Sequence, residues 1–401
     1  MKNSPDRSQK VENQYAEGSF DPSCVIIFRS EFLARSETFI IEHARSLKEW
    51  DVRFFTTKRV SAGLVSQFSV DEIPEPWNAR KFHLRGLFST LKQNFRALSI
   101  LRQARAKVAL VHFGVDAVRI WPFLNILRIP TLVFLHGYDI NTNKNWWPEH
   151  YSGTLLEVYP QLLLSLSNNK RVGFLACSQA IKEQATKFGI DPVKITVAPL
   201  GVDTAIFFPG DLTMACRNHV LFVGRLVEKK GCRYLIDAFA MIQDRFPDSR
   251  LRIIGEGELA DELGRHAAAV GCRAEFLGYR TPTEISQEMR MARVFCLPSV
   301  TASNGDAEGM GIVLLEAQSC GLPVLTSARG GTVEGIIPEI TGYSFKEKDV
   351  PTLAFLLSKM LGDAAHCEEM GAAGRDHILR HRSLEQCSIL HSRLLHQHAT
   401  V

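Results

Sequence analysis

The stretch His219-Val220-Leu221-Phe222-Val223-Gly224-Arg225-Leu226-Val227-Glu228-Lys229-Lys230-Gly231 decides how the chain is read. An apolar run stops at a glycine, a short loop carries Arg225 and Lys230, and a segment of helical period, Cys232–Phe246, follows. Another apolar run, Arg250–Ile254, and another amphipathic segment, Asp261–Val270, come next. A strand that is apolar throughout needs cover on both faces, and helices in the connections supply it, so the unit is a parallel strand with its crossover.

Outward from this unit the alternation continues almost from end to end. Upstream lie Cys24–Phe28, Val52–Thr56, Val108–Phe113, Thr131–Leu135, Gly173–Ala176 and Ile195–Ala198; downstream lie Ala274–Leu277, Val294–Pro298 and Pro323–Thr326. A Pro-Gly turn in Phe207-Phe208-Pro209-Gly210-Asp211 interrupts the pattern before the second half restarts. The expected fold is α/β: two Rossmann-like, doubly wound parallel-sheet domains facing across a cleft. A tail over 1–22 precedes domains over 23–208 and 209–375, and Asp376–Gln397, after Gly371-Ala372-Ala373-Gly374, reads as a last helix within 376–401.

Composition agrees with this scale. At roughly 100–200 residues per domain, 401 residues make two or three domains. A hydrophobic share of 45%, a charged share of 22%, 28 Gly and 17 Pro exclude collagenous, disordered and disulfide-scaffold classes. No apolar run reaches the ~18 residues of a membrane span. The polar start, Met1 to Ser23, lacks the apolar centre of a secretory signal, so a cytoplasmic protein is expected. Nine cysteines, odd in number and without a CxxC pair, lie partly inside apolar runs such as Val294-Phe295-Cys296-Leu297 and read as reduced, buried thiols. Residues 1–200 hold 26 Lys and Arg against 18 Asp and Glu, whereas residues 201–401 hold 21 against 25. Such a basic half suits an anionic partner, a membrane surface or a phosphorylated substrate, though a chance spread of surface charge gives the same count.

Ligands of open parallel sheets bind beyond the carboxyl ends of the strands. At the first such end, Gly224 with Arg225 and Lys230 offers a planar fork and a point charge, suited to a diphosphate or simply a solvated turn. At the second, Gly305-Asp306-Ala307-Glu308-Gly309-Met310-Gly311-Ile312 precedes a helix on which Glu316 lies eight residues after Glu308, on the same side. Free amides at Gly309 to Ile312 attract a phosphate or sugar hydroxyls. Glu316, set in Val313-Leu314-Leu315-Glu316-Ala317, needs a partner, and a ribose diol is a suitable one. At the third, Phe134-Leu135-His136-Gly137-Tyr138-Asp139 delivers a histidine into a loop.

Together Arg225 with Lys230, the Glu308-to-Glu316 spacing, His136-Gly137 and Pro298-Ser299 resemble family 4 of the nucleotide-sugar glycosyltransferases, which have the GT-B fold. Pro199-Leu200-Gly201-Val202-Asp203 adds to the likeness, which covers nearly the whole chain and is strongest from Val220 to Phe345. Ser36-Glu37-Thr38-Phe39 and Pro298-Ser299-Val300-Thr301 running into the glycine-rich loop resemble bacterial exopolysaccharide transferases of the colanic-acid and amylovoran type.

The resemblance implies a retaining transferase in which Arg225 and Lys230 hold the donor diphosphate and stabilise the leaving group. Glu316 would bind the ribose, Glu308 the donor sugar, and the amides of Gly309, Met310, Gly311 and Ile312 the same pocket; His136 would position the sugar, with Gly224, Ser299 and Arg280 as nucleotide contacts. No cofactor is implied, and the absence of a DxD motif agrees with a reaction that needs no metal. The loop Arg29-Ser30-Glu31-Phe32-Leu33-Ala34-Arg35-Ser36 lacks the glycine found there in most GT-B enzymes, so Ser36, Glu37 and Thr38 are assigned to the acceptor side. The family's last helix crosses back to the first domain. The implied acceptor is a polyprenyl-diphosphate-linked saccharide at the cytoplasmic face of the inner membrane, and no nucleic-acid partner is expected. Arg85–Lys107, with Leu87, Phe88, Leu91, Phe95, Leu98 and Leu101 on one side and Arg85, Lys92, Arg96, Arg102 and Arg105 elsewhere, fits either an anionic membrane surface or an ordinary helix packed on the first sheet.

Two other classes compete. Gly255-Glu256-Gly257-Glu258-Leu259-Ala260, with Glu275 beyond, formally matches a dinucleotide fingerprint and an NAD-dependent oxidoreductase, but its glutamates would repel a pyrophosphate. A non-catalytic nucleotide-sugar-binding module would be expected to lose the charged pocket residues, which are all present.

Overall fold

The computed structural model describes residues 23–32, 38–59, 68–74, 84–327 and 329–401. The expected tail, together with Ser36 and Glu37, lies outside them. Seven strands, β1 (Ser23–Phe32), β2 (Trp50–Arg59), β3 (Ser69–Glu72), β4 (Val108–His112), β5 (Thr131–Leu135), β6 (Val172–Ala176) and β7 (Ile195–Val197), form one sheet in the order β3-β2-β1-β4-β5-β6-β7. Six more, β8 (His219–Val223), β9 (Leu251–Ile254), β10 (Ala274–Gly278), β11 (Ala292–Leu297), β12 (Val324–Ser327) and β13 (Gly342–Phe345), form a second in the order β10-β9-β8-β11-β12-β13. Every pairing is parallel. The strand order reverses between β1 and β4 and again between β8 and β11, and these switch points open the crevices in which such sheets bind ligands.

The central strands are as buried as their composition requires. Val25 to Phe28, Val108 to Val111 and Val220 to Phe222 are fully covered by helices on both faces. Each large side chain removed from water in this way contributes about 1.5–3 kcal/mol. Two strands were not expected. Ser69–Glu72 is a polar edge strand of four residues, too short and too charged to show an apolar run. Gly342–Phe345 begins with a glycine because a Cβ there would lie 2.4 Å from the Val324 carbonyl oxygen of the neighbouring strand.

The last segment also differs from expectation. A helix runs from Ala364 to His381 straight through the glycines, stops at Arg382 and Ser383, and a second helix spans Leu384–His398. Gly371 and Gly374 serve close approach and not a turn: Cβ atoms there would lie 2.1 Å from the Gly321 carbonyl oxygen and 3.2 Å from Gln318 Cγ. Ser383, the N-cap of the second helix, forms a parallel bridge with Val202. The Leu384–His398 helix packs on the first sheet and on helix Thr38–Ser46. There Trp50 Nε1 donates to Ser392 Oγ at 3.1 Å, and Ser392 donates to Glu49 at 2.8 Å.

Gly201 lies against this junction, its missing Cβ only 2.6 Å from Leu384 Cα and the Ser383 carbonyl oxygen. Backbone cannot yield as a side-chain tip can, so Gly201→Val is expected to destabilise by about 2–3 kcal/mol. Thermal unfolding should report the loss, and limited proteolysis should show earlier cleavage near Arg382.

Candidate functional site

At the end of β8 the chain turns through Gly224 into a loop closed by a 3-10 turn over Glu228–Lys230. Gly231 has φ +64°, and a Cβ on it would lie 1.9 Å from the Pro298 carbonyl oxygen, so only glycine lets this loop rest on the end of β11. Two consecutive lysines then reach into the loop after β11. Lys229 Nζ pairs with Asp306 at 2.8 Å, and Lys230 Nζ pairs with Glu308. Arg225 is exposed, and its guanidinium has neither a hydrogen bond nor an ion pair among the described residues, while its carbonyl accepts from the Val227 amide at 3.0 Å. Glu228 of the same loop accepts from the Ser303 hydroxyl at 2.8 Å, so three carboxylates balance the three cations, and Arg225, whose guanidinium is unpaired among the described residues, is the group placed to meet an anion.

Gly311, at φ +71°, is the N-cap of helix Ile312–Ser319, which carries Glu316. Ser299, directly after Pro298, is 4% exposed, and its buried hydroxyl has no hydrogen-bond partner among the described residues. A buried hydroxyl left unpaired marks a place where a polar ligand group fits.

From the first domain, β5 ends at Leu135 and presents His136 and Gly137. Asp139 fixes this turn: its carboxylate accepts from the amides of His136 at 3.2 Å and Gly137 at 3.0 Å, and from Gly114 at 2.9 Å. One buried side chain thereby joins the loops after β4 and β5. Phe113, between β4 and Gly114, has φ +74°, an outlier for an aromatic residue and a sign of strain held by its surroundings. Its ring lies 4.7 Å from that of His136 and, on another side, 4.7 Å from the Arg29 guanidinium. Arg29 is paired with Asp116, which also accepts from the Ser30 hydroxyl at 2.6 Å.

The two halves close on one another through backbone. A Cβ on Gly309 would lie 1.8 Å from the His136 carbonyl oxygen, and one on Gly331 would lie 1.7 Å from the Gly309 carbonyl oxygen. Ser178 caps helix Gln179–Phe188 and donates its hydroxyl to the Gly309 carbonyl at 2.7 Å. Glu334 accepts from the Gln179 and Ala180 amides, both at 2.8 Å, a carboxylate on the positive end of a helix. Asn141 Nδ2 donates to the Ala307 carbonyl at 3.1 Å, and the Asn143 amide to Asn304 at 2.9 Å.

These surroundings set the charges. Burial pushes the Glu308 carboxyl up, but Lys230, Lys229 and Arg225 outweigh it and hold it below its usual range. Glu316 is pushed up to about 8 by burial and then by the nearby Glu42. Burial first, and then Asp203, raises Glu42 to about 7. His136 is pushed down to about 3 by burial, with His43, Arg29 and His391 adding to the effect, so it is neutral at pH 7. Lys230, Glu308, Gly309, Met310, Gly311 and His136 are thus brought together at the domain junction, with Arg225 on the rim.

Other candidates fall elsewhere. Arg280 sits past β10 and donates to the adjacent Tyr279 carbonyl at 2.9 Å. Thr38 opens helix Thr38–Ser46, while Ser36 and Glu37 lie outside the described residues. Side chains of the Leu84–Gln103 helix are described from Gln93 onward. Phe95 is 70% exposed and Leu101 fully buried, so these two, expected on one apolar side, face different surroundings. The Gly255–Gly257 match is explained by packing. Cβ atoms there would lie 1.9 Å from the Gly224 carbonyl oxygen and 2.4 Å from that of Leu226, and the Gly255 amide is spent on Gly278. Glu275 pairs with Arg252 at 2.7 Å. Asp139, His112 and Phe113 were missed as site residues; Asp139 stood beside His136-Gly137, but its three amide contacts are not visible in a linear chain.

Two parallel doubly wound sheets that meet at their carboxyl edges, with a cationic loop after the first strand of the second sheet, define the GT-B architecture. The model described as glycosyl transferases group 1 matches residues 215–377, and that of Glycosyltransferase Family 4 matches residues 36–206. The chain belongs to this family of glycosyltransferases, carrying both of its domains. It is 29% identical over 301 residues to the amylovoran biosynthesis glycosyltransferase AmsK of Erwinia amylovora, covering 72% of this chain and 70% of that one. It is 36% identical over 192 residues to a GDP-mannose-dependent monoacylated α-(1-6)-phosphatidylinositol monomannoside mannosyltransferase of Corynebacterium glutamicum; the match spans 45% of this chain and only 50% of that relative's length. Its fold is similar to HepE of Anabaena solved in complex with UDP, with TM-score 0.75 and 19% identity over 94% of this chain and 100% of that one.

The raised carboxyls make stability depend on pH. Unfolded glutamates release their protons near 4.5, whereas folded Glu316 holds its proton to about 8. The folded state therefore binds more protons between these values, and stability falls as pH rises through that window, by at most about 1.4 kcal/mol per pH unit for each group. Glu316→Gln should flatten this fall. Melting temperatures from pH 5 to 8 check it: the wild type is expected to decline more steeply than the variant.

Proposed function

We propose that this protein is a retaining, metal-independent glycosyltransferase that moves a sugar from a nucleotide-diphosphate sugar to a saccharide or lipid-linked saccharide in cell-surface polysaccharide synthesis. The observation that carries this reading is the unpaired Arg225 beside Lys230 at the end of β8, across the junction from His136. In the proposed reaction the bond from the sugar's anomeric carbon to the diphosphate oxygen breaks as the acceptor oxygen bonds to that carbon. The acceptor's proton passes to the departing diphosphate. Charge grows on the diphosphate during this step, and Arg225 and Lys230 offset it from fixed positions. Glu308, ionised and engaged by Lys230 through Oε2, has its other oxygen available for a hydroxyl of the donor sugar. His136, being neutral, acts by a hydrogen bond and by position. Glu316 and the Ser299 hydroxyl are assigned to the nucleotide, and Thr38, with Ser36 and Glu37, to the acceptor side.

The acceptor is assigned as a polyprenyl-diphosphate-linked saccharide at the cytoplasmic face of a membrane. Among the described residues no helix is long and apolar enough to cross a bilayer. Support for peripheral contact comes from the Leu84–Gln103 helix and the turn after it, where the exposed Phe95 has exposed Arg96, Arg102, Arg105 and Lys107 nearby.

Nucleoside diphosphates without added metal test the donor site. UDP, GDP or ADP at 100 times its Kd is expected to stabilise the protein by about 2.7 kcal/mol, read as a thermal shift, and Arg225→Ala or Glu316→Ala should abolish the shift. Stabilisation by NAD alone would overturn the reading. Lys230→Ala is expected to lower kcat by about 10²–10³-fold in a transfer assay with the matching nucleotide sugar. In a vesicle sedimentation assay with anionic lipid, the combined variant Phe95→Ser, Arg96→Gln, Arg102→Gln should bind less; unchanged binding would remove the membrane assignment.

A further inference from the structure

His136 does not stand alone. Its Nε2 lies 2.9 Å from Nδ1 of His112, the last residue of β4, and the two rings are coplanar to within 9°. In-line approach at that distance is a hydrogen bond between imidazoles and not a stack. His112 Nε2 in turn lies 3.4 Å from Nδ1 of His43, on helix Thr38–Ser46. His43 and His112 are 1% and 0% exposed. Phe39 and Phe134 pack against the row, and His391, from the helix that crosses back, meets His43 ring to ring at 4.5 Å. His43 Nε2 is buried without a hydrogen-bond partner among the described residues.

We infer that His112 and His43 are positioning residues that dictate which nitrogen of His136 carries the proton, and that they make His136 Nδ1 a hydrogen-bond donor toward a hydroxyl oxygen of the donor sugar. The inference rests on the proposed transfer at His136 and adds how that residue is prepared for it.

A neutral imidazole has one N–H and one bare nitrogen. His112 uses both nitrogens, so the row has only two polarities. In one, His136 Nε2 donates to His112, His112 Nε2 donates to His43, and the proton of His43 is left on Nε2, a buried N–H with nothing to receive it. In the other, His43 Nδ1 donates to His112, His112 Nδ1 donates to His136, and the group left unpaired at the far end is a bare nitrogen. Orphaned buried N–H groups are the rarer and costlier case, so the second polarity holds. It leaves His136 with its proton on Nδ1, the nitrogen without a hydrogen bond among the described residues. Free neutral histidine in water favours the opposite form, with the proton on Nε2, so the row imposes a tautomer that His136 would not take by itself. Burial and the neighbouring rings and Arg29 keep all three imidazoles uncharged at pH 7, as this scheme requires.

The test reads the tautomer directly. Long-range ¹H–¹⁵N spectra of ¹⁵N-histidine-labelled protein, with His136 assigned by its loss in His136→Gln, are expected to show Nδ1 protonated and Nε2 bare. The reverse pattern in the wild type would overturn the inference whether or not any variant folds. His112→Asn places an amide near the Nδ1 position and can still donate to His136; His112→Gln extends its amide toward His43 and cannot. We expect His112→Gln to return His136 to the Nε2–H form and to lower kcat by about 10–100-fold at unchanged donor KM, and His112→Asn to recover most of that loss. Equal rates in the two variants would also overturn it. Absence of transfer by the wild type would instead count against the proposed reaction, leaving the tautomer reading to the spectra.

Discussion

The site depends on a contact in which no side chain takes part. The His136 carbonyl oxygen occupies the place where Gly309 would carry a Cβ, and the Gly309 carbonyl oxygen stands in the same relation to Gly331. Three stretches of main chain, from the ends of β5 and β11 and from the turn after β12, are therefore stacked at van der Waals distance. Side chains of any size would wedge the sheets apart and separate His136 from Lys230 and Glu308. Hydrogen bonds from Ser178 to Gly309 and from the Gln179 amide to Glu334 hold the arrangement, but its closeness is a property of glycine.

Charge is arranged on that frame with economy. Lys229 and Lys230 are adjacent in sequence, yet each takes its own carboxylate from the opposing loop, and their pairs fix the loop's course before any ligand arrives. Buried pairs of this kind add little net stability, because desolvation offsets attraction; what they contribute is geometry. Arg225 is left over. The balance between paired lysines and an unpaired arginine separates the task of shaping the pocket from that of meeting an anion.

The fold was legible because parallel strands buried on both faces are apolar throughout, as in Val108 to Val111 and Val220 to Val223. Strands β3 and β13 escaped because an edge strand such as Ser-Val-Asp-Glu carries no such signal. Glycines were the least legible residues. Gly371 and Gly374 looked like a break and are a helix face, and Gly255 and Gly257 looked like a nucleotide turn and are a seat for the neighbouring loop. For Gly371, Gly255 and Gly257 the reason is a carbonyl oxygen far away in sequence, and for Gly374 it is the side chain of Gln318. The motif residues Lys230, Glu308 and His136 could be named from local context, whereas His112 was absorbed into an expected strand running to Phe113. Only the backbone reversal at Phe113, with its positive φ, ends β4 at the histidine. His43 and His391 come from helices at opposite ends of the chain, and no spacing rule links them.

The chain passes between the two domains twice, once after β7 and once at Arg382–Ser383, and the passages are laced together. The Val202 amide donates to the Arg382 carbonyl at 2.9 Å, and the Leu384 amide donates to the Val202 carbonyl at 2.8 Å. A single tether would let one domain spin freely against the other. Two plies joined side by side oppose torsion, so the angular register of the two domains, and with it the alignment of the loops that meet at Gly309, is set at this double crossing as well as at the loops themselves.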